Sequence, residues 1–406
     1  MNVLIYWHDM FFPYSEYLIE SFDQDPRVSK LIAAGPKTLV NDPIFSVPTD
    51  TKLVVNKTTF EKLNTYKVRP KVGTLGSFIK VIKHHKPDLV IILDEPFSTN
   101  VLNAGIANYI LRNNATVLFY AFDNLEHSPP YKFLSMNRTA LGLGIFLKRT
   151  FRILILDKML QWLRAKVVHG GLTSYSECED VIINSGWAPK IQEQWWGIPI
   201  KKFIQKSQEI DIKLVRNQLE VGEKDFLIGY VGRFVHEKGV LDLVEAIKLL
   251  DANCKILLIG DGPIKELIVK KLSNMGALSR VKILPPQNQS NLIAYYSALD
   301  LLVLPSRTDY FWKEQYGRVL VEAMACGTAV AGSTSGAIPY VIDDNTMCFP
   351  ESDPSSIAKV IINYKKNLHI NLNANISRST MGDTQVFINA FFNLNATIDK
   401  AQRKVG

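Results

Sequence analysis

The stretch FLIGYVGRFVHEKGVLDLVEAIKLL, Phe226 to Leu250, changes period in its middle. FLIGYV is a continuous apolar run closed by Gly232, as a strand buried on both faces reads. GVLDLVEAIKLL has the spacing of a helix, and the loop GRFVHEKG lies between the two. Strand, glycine-bounded loop and crossover helix form the repeating unit of a parallel sheet.

The same alternation continues downstream through KILLIGDG (255–262), RVKIL (280–284), DLLVLPS (300–306) and TAVAGS (328–333). Upstream it recurs as VLIYW (3–7), KLIAAG (30–35), DLVIILD (88–94), TVLFYA (116–121) and KVVHGG (166–171). PIKELIVKKLSNMG reads as a helix stopped at Gly276. The fold class is therefore α/β, with two Rossmann-like doubly wound domains facing a cleft. Gly197 and Pro199 interrupt the pattern in WWGIPIKKF (195–203), which places one domain at 1–196 and the next at 197–383. The stretch from Asn367 to Asp383, rich in Asn and Ser, reads as loop. A last helix is expected over 384–406, packing back toward the first domain.

The chain has 406 residues, 47% of them hydrophobic and 21% charged, enough apolar surface for two or three cores. This excludes disorder, collagen and small disulfide scaffolds. Cys178, Cys254, Cys326 and Cys348 form no C-x-x-C pair and read as core residues in a reducing compartment. The start, MNVLIYWHDMFF, has no basic region ahead of its apolar run and reads as a strand rather than a leader. The Asn114 sequon runs into the strand TVLFY, so a cytoplasmic location is expected. No apolar run reaches the roughly 18 residues needed to span a bilayer.

In EQYGRVLVEAMACG, seven residues separate Glu314 from Glu322, and Gly317 lies between them. A helix starting at Gly317 or Arg318 would turn the amides of Gly317, Arg318 and Val319 toward an anion such as a diphosphate. Glu322, one turn inside, can accept both hydroxyls of a ribose, while Glu314 faces the far end. In GRFVHEKG, Gly232 permits close backbone approach, and Arg233 and Lys238 supply the charge to neutralise a leaving diphosphate.

At these residues the chain resembles the GT-B retaining glycosyltransferases of group 1, most strongly over 226–343. GRFVHEKG, LIGDGP, LLVLPS, the E-x7-E segment and GSTSGAIPYVI occur in that family's order. DEPFSTN (94–100), FYAFDNLEHSPP (119–130) and WWGIPIKKF match more loosely. The resemblance implies that Glu322 binds the ribose, Glu314 the donor sugar, Arg233 and Lys238 the diphosphate, and the turn at Leu284 to Pro286 the base. It implies retention of anomeric configuration, an acceptor held by the first domain, and no cofactor beyond the nucleotide sugar. Two departures stand out. Trp7, His8, Asp9, Met10, Phe11 and Phe12 replace a Gly-Gly loop, and Tyr340 replaces an acidic residue.

For the acceptor, Asp123 and His127 follow the strand TVLFYA at its carboxyl edge, and Asp9 follows the first strand; His8 and His169 are weaker candidates of the same kind. Asp23 and Asp25 form a D-x-D that reads as a solvated turn, so no metal is expected. His84 and His85 read as the solvated end of a helix. Between Lys132 and Lys166, eight cations (Lys132, Arg138, Lys148, Arg149, Arg152, Lys158, Arg164 and Lys166) face the single anion Asp157, a net of +7 that holds most of the chain's +8. Interleaved with Leu, Phe and Trp, this segment is expected to bind an anionic membrane surface. No nucleic-acid motif accompanies it.

The expected activity is transfer of a sugar, of the hexosyl type, to a glycan or lipid-linked acceptor at the inner face of the cell membrane, in surface polysaccharide, lipopolysaccharide or glycolipid synthesis. The alternatives are an epimerase or phosphorylase on the same fold, or an inactive membrane-associated binding subunit.

Overall fold

A computed structural model of the chain describes residues 1–10, 15–37, 55–66, 69–122, 159–184, 187, 189–310, 312–367 and 372–403. The contacts divide it into two compact units, one running up to Gln194 and resuming at Ile388, the other covering Trp195–Phe387.

In the first unit the described strands are β1 (Asn2–Trp7), β2 (Lys30–Pro36), β3 (Thr58–Leu63), β4 (Thr65–Tyr66), β5 (Arg69–Gly73), β6 (Leu89–Leu93), β7 (Thr116–Ala121), β8 (Gly170–Thr173) and β9 (Lys190–Glu193). The pair β4 and β5 is an antiparallel hairpin. The rest form one parallel sheet in the order β3-β2-β1-β6-β7-β8-β9. β1, β6 and β7 are almost wholly buried, which explains their lack of polar alternation.

The second unit contains β10 (Phe226–Val231), β11 (Cys254–Ile259), β12 (Val281–Leu284), β13 (Leu301–Leu304), β14 (Ala329–Ser333) and β15 (Cys348–Phe349). They lie parallel in the order β12-β11-β10-β13-β14-β15. In each sheet the chain builds outward from a central strand and then returns to its other side, so the direction of winding switches at β1/β6 and at β10/β13. Each unit is thus a doubly wound parallel α/β sheet, the fold class expected from the sequence.

Several local expectations are corrected. KVVHGG is not one strand: residues 159–167 are helical, and β8 begins at Gly170. Val167 packs against Gly105 of the helix Thr99–Ile110, and a short apolar run does not by itself separate a helix end from a strand. The Asn- and Ser-rich stretch contains the helix Leu372–Ser379, which packs on the helix Arg318–Ala325, so tertiary contact overrides composition.

Asp23 and Asp25 are buried rather than solvated. The Asp23 carboxylate accepts from the amides of Asn56 (2.9 Å) and Lys57 (2.8 Å) and from Thr58 Oγ1 (2.6 Å), which fixes the start of β3. Asp25 holds the Arg27 guanidinium at 2.6 Å. His85 is also buried, with Nε2 2.7 Å from Glu61 Oε1 and Nδ1 3.0 Å from Lys30 Nζ; only His84 is exposed. Cys178 and Cys254 are core residues, whereas Cys326 and Cys348 are half-buried, and burial pushes the Cys348 thiol up to about 11.

Candidate active site

A doubly wound sheet offers its ligand crevice at the carboxyl ends of the strands flanking the switch. Here those strands are β10, leading into Gly232 and Arg233, and β13, leading into Pro305 and Ser306. The loop after β10 is held at several points. Phe234 is fully buried and its amide donates to Asp261 O (2.8 Å), while the Tyr230 hydroxyl donates to Arg233 O (2.7 Å). The turn His236–Lys238 ends at Gly239, with φ +61°, where a Cβ would stand 1.8 Å from Pro305 O. Only glycine lets this loop close on the end of β13.

That closure brings Lys238 to Glu314. Lys238 Nζ donates to Glu314 Oε2 at 2.7 Å, and Ser306 Oγ donates to the same oxygen at 2.7 Å. The ammonium also lies 4.6 Å from the centroid of the Trp312 ring. The Glu314 amide donates to Ser335 Oγ (3.3 Å), and its carbonyl accepts from the Ala337 amide (2.9 Å). Burial pushes the Glu314 carboxyl up, but Lys238, Ser306 and the Gly317 amide outweigh it and hold the group below the usual carboxylate range. Glu314 is therefore a buried anion whose charge is matched by Lys238.

Arg233 remains 41% exposed, its guanidinium 3.9 Å from Glu237. Tyr230 is fully buried, and burial first, then the charge of Glu314, pushes its phenol up. The helix Arg318–Ala325 begins after Gly317, which has φ +73°. On its second turn Glu322 is buried, with Oε2 accepting from Tyr296 OH (2.9 Å) and Oε1 from Arg318 Nε (2.5 Å). Each oxygen keeps a further lone pair for a ligand hydroxyl.

Of the remaining sequence candidates, Val319 lies in the first turn of the same helix. Leu284 ends β12 and accepts from the Gly260 amide (3.0 Å), with Pro286 exposed beyond it, on the far side of β11 from Lys238. Asp9 belongs to the first unit, where His8 Nε2 lies 3.4 Å and Lys71 Nζ 3.7 Å from its carboxylate. His169 is half-buried and its Nδ1 accepts from the Val117 amide (2.9 Å), a structural bond. Asp123, His127 and residues 132–158 lie outside the described residues. In the described end of the basic segment, Met159 and Trp162 are exposed, but Arg164 is not. Its guanidinium donates to Phe97 O (2.9 Å) and stacks near the Phe97 ring, which removes it from the cations available to a surface.

Sequence reasoning missed Ser306, Ser335, Tyr296 and Trp312. Ser306 closes the motif LLVLPS and was within reach; Tyr296 reaches Glu322 from a separate helix, Gln289–Ala298, and left no local signal. Among the described residues no group of His, Cys, Asp and Glu is arranged to hold a metal ion, and no helix is long and apolar enough to cross a membrane.

Residues 211–380 match the family described as "Glycosyl transferases group 1". The N-acetyl-alpha-D-glucosaminyl L-malate synthase of Bacillus anthracis is 31% identical over 169 residues, 40% of this chain and 42% of that protein. The chain spans less than half the length of the curated relatives it matches. Among solved structures, Anabaena HepE in complex with UDP aligns over 100% of both chains at a TM-score of 0.65 and 16% identity. The lipopolysaccharide outer core galactosyltransferase WaaB aligns over 97% of this chain and 99% of its own, at a TM-score of 0.65 and 15% identity. These structures share the fold. Over residues 211–380, then, the chain is similar to the group 1 glycosyltransferases.

Proposed function

We propose that the chain transfers a hexosyl group from a nucleoside diphosphate sugar to a hydroxyl of a glycan or lipid-linked acceptor, with retention of configuration. The observation that carries this reading is the Lys238–Glu314 pair at the switch point of the second sheet, beside the start of the helix Arg318–Ala325. Arg233, Lys238 and the amides of Gly317, Arg318 and Val319 meet the diphosphate, Glu314 the sugar, Glu322 the ribose, and Leu284 to Pro286 the base. As the anomeric carbon–oxygen bond breaks, negative charge grows on the departing phosphate, and preorganised cations stabilise it where it develops. The acceptor oxygen bonds to the same face of the carbon and passes its proton to the departing phosphate. No resident cofactor or metal takes part in this scheme.

HepE, a protein of the same fold, binds UDP, so UDP and UDP-sugars come first in the test, followed by the GDP and ADP series. Stabilisation of the chain in a thermal shift screen, followed by sugar transfer that survives EDTA, is the expected result. No shift with any nucleotide would sink the reading. Turnover abolished by EDTA and restored by Mn²⁺ or Mg²⁺ would refute the metal-independent scheme. Sugar product formed from donor alone would favour the epimerase.

The acceptor belongs to the first domain, with Asp9, Asp123 and His127, and segment 132–166 docks that domain on the inner face of the cell membrane. Basic residues near an anionic surface contribute about 1 kcal/mol each, and inserted apolar side chains add a part that salt does not screen. Flotation with anionic vesicles, lost when Lys148, Arg149 and Arg152 become Glu, is expected. Equal, negligible flotation of both proteins would point to a soluble acceptor.

A further inference from the structure

Between β13 and Glu314 the chain carries two described aromatics, Tyr310 and Trp312, to which the transfer reading gives no task. Their loop is anchored at several points. The Arg307 guanidinium pairs with Asp242, with Nε 2.6 Å from Oδ2, and the Arg307 amide donates to Glu237 O (2.7 Å). Thr308 donates to Glu351 through its amide (2.5 Å) and its hydroxyl (2.7 Å). The Asp309 amide then donates to Trp312 O (2.8 Å), closing a turn that leaves Tyr310 56% exposed. Trp312 is half-buried, and its ring faces the ammonium that Glu314 also holds.

In a nucleoside diphosphate sugar the sugar is bonded to the distal phosphate. An aromatic ring 4.6 Å from the ammonium assigned to the diphosphate is therefore within reach of the sugar. A pyranose presents on one face a patch of C–H bonds, which is apolar and slightly positive, and the π-face of an indole is its complement in both respects. Lys238 covers one face of this ring, which leaves the opposite face for the sugar.

We propose that Trp312 is a specificity-determining residue whose indole, on the face away from Lys238, takes the C–H face of the donor sugar and so distinguishes a nucleoside diphosphate sugar from the free nucleoside diphosphate. This rests on the transfer reading above and deepens it. Lys238 fixes the ring's position through its cation contact, and Glu314 approaches the same sugar from its hydroxyl side.

The test is isothermal titration of the full chain with UDP and UDP-glucose, GDP and GDP-mannose, and ADP and ADP-glucose, using the pair whose diphosphate binds the wild type. Trp312→Ala should leave the diphosphate Kd within about twofold and raise the diphosphate-sugar Kd about tenfold, the scale of a lost aromatic contact. Trp312→Phe, which keeps a π-face, should recover most of the difference. Equal weakening of both ligands would mean that Trp312 serves only to hold Lys238, and no weakening of either would leave the sugar elsewhere; both results overturn the proposal. If no diphosphate binds the wild type, the transfer reading fails and the platform falls with it.

Discussion

The two cations of the loop after β10 are unequal. Lys238 is 18% exposed and is matched to a carboxylate with 9% exposure, whereas Arg233 is 41% exposed and has its nearest carboxylate at 3.9 Å. Both come from the one loop GRFVHEKG, yet only Lys238 is tied to a buried carboxylate. Removing one partner of a buried pair strands the other, at a cost of roughly 3 to 5 kcal/mol. Lys238→Ala should therefore lower both turnover and melting temperature, while Arg233→Ala lowers turnover alone. Equal melting temperatures for the two variants would contradict the assigned burial. Glu314 adds a pH dependence. Its folded pKa is depressed, so its contribution to stability is fully present above the carboxylate's unfolded value and is lost as pH falls through the lower folded value. Glu314→Gln should be less stable than wild type at neutral pH, and the gap should narrow through that acidic window. A gap that widens on acidification would reverse the sign assigned here.

At the scale of elements, glycine position decides how tightly loops can close. Gly239 and Gly276 both have positive φ, +61° and +63°, yet a Cβ at Gly276 would meet nothing within 4 Å, while at Gly239 it would strike Pro305 O. Gly276→Ala should cost only the left-handed penalty of about 1 to 2 kcal/mol. Gly239→Ala should cost more and should also impair turnover, because it pushes the Lys238 loop off β13. Denaturant midpoints of the two variants, with rates, check this; equal losses would rule it out. The central strands β1, β6, β7, β10, β11 and β13 were legible because each is almost wholly buried and reads as an apolar run, whereas the edge strands β3 (TTFEKL) and β9 (KIQE), polar and partly exposed, were not. The helix start at Gly317 was legible from the glycine between two glutamates. The support beneath was not. Tyr296, Ser335 and Asp242 reach the site across distances in sequence that no local pattern encodes, and Asp23, Asp25 and His85 looked solvated because a polar residue's burial depends on distant partners.

At the scale of the molecule, the helix Thr384–Arg403 starts in the second unit and ends in the first. In the first unit the Phe392 ring lies 6.5 Å from that of Phe22 and under the Arg27 guanidinium (4.1 Å), Arg27 donates to Asn389 Oδ1 (2.6 Å), and Thr116 Oγ1 donates to Asp399 Oδ1 (3.2 Å). Ile388, Phe391, Phe392, Leu394 and Ile398 are all buried, and such side chains contribute roughly 1.5 to 3 kcal/mol each. Deleting the chain from Ile388 onward should speed hydrogen exchange in Glu16–Gln24 and β7 while sparing β10. Unchanged protection in β7 would remove the helix from the first unit's core. This feature also sets an order of assembly. When a ribosome has completed Gln194, every strand of the first sheet exists but one wall of its core does not, and that wall emerges only after the second unit has been translated. Against the usual precedence of amino-terminal domains, the half made first is the half that matures last, and its nascent form must stay soluble with Phe22 uncovered throughout the interval.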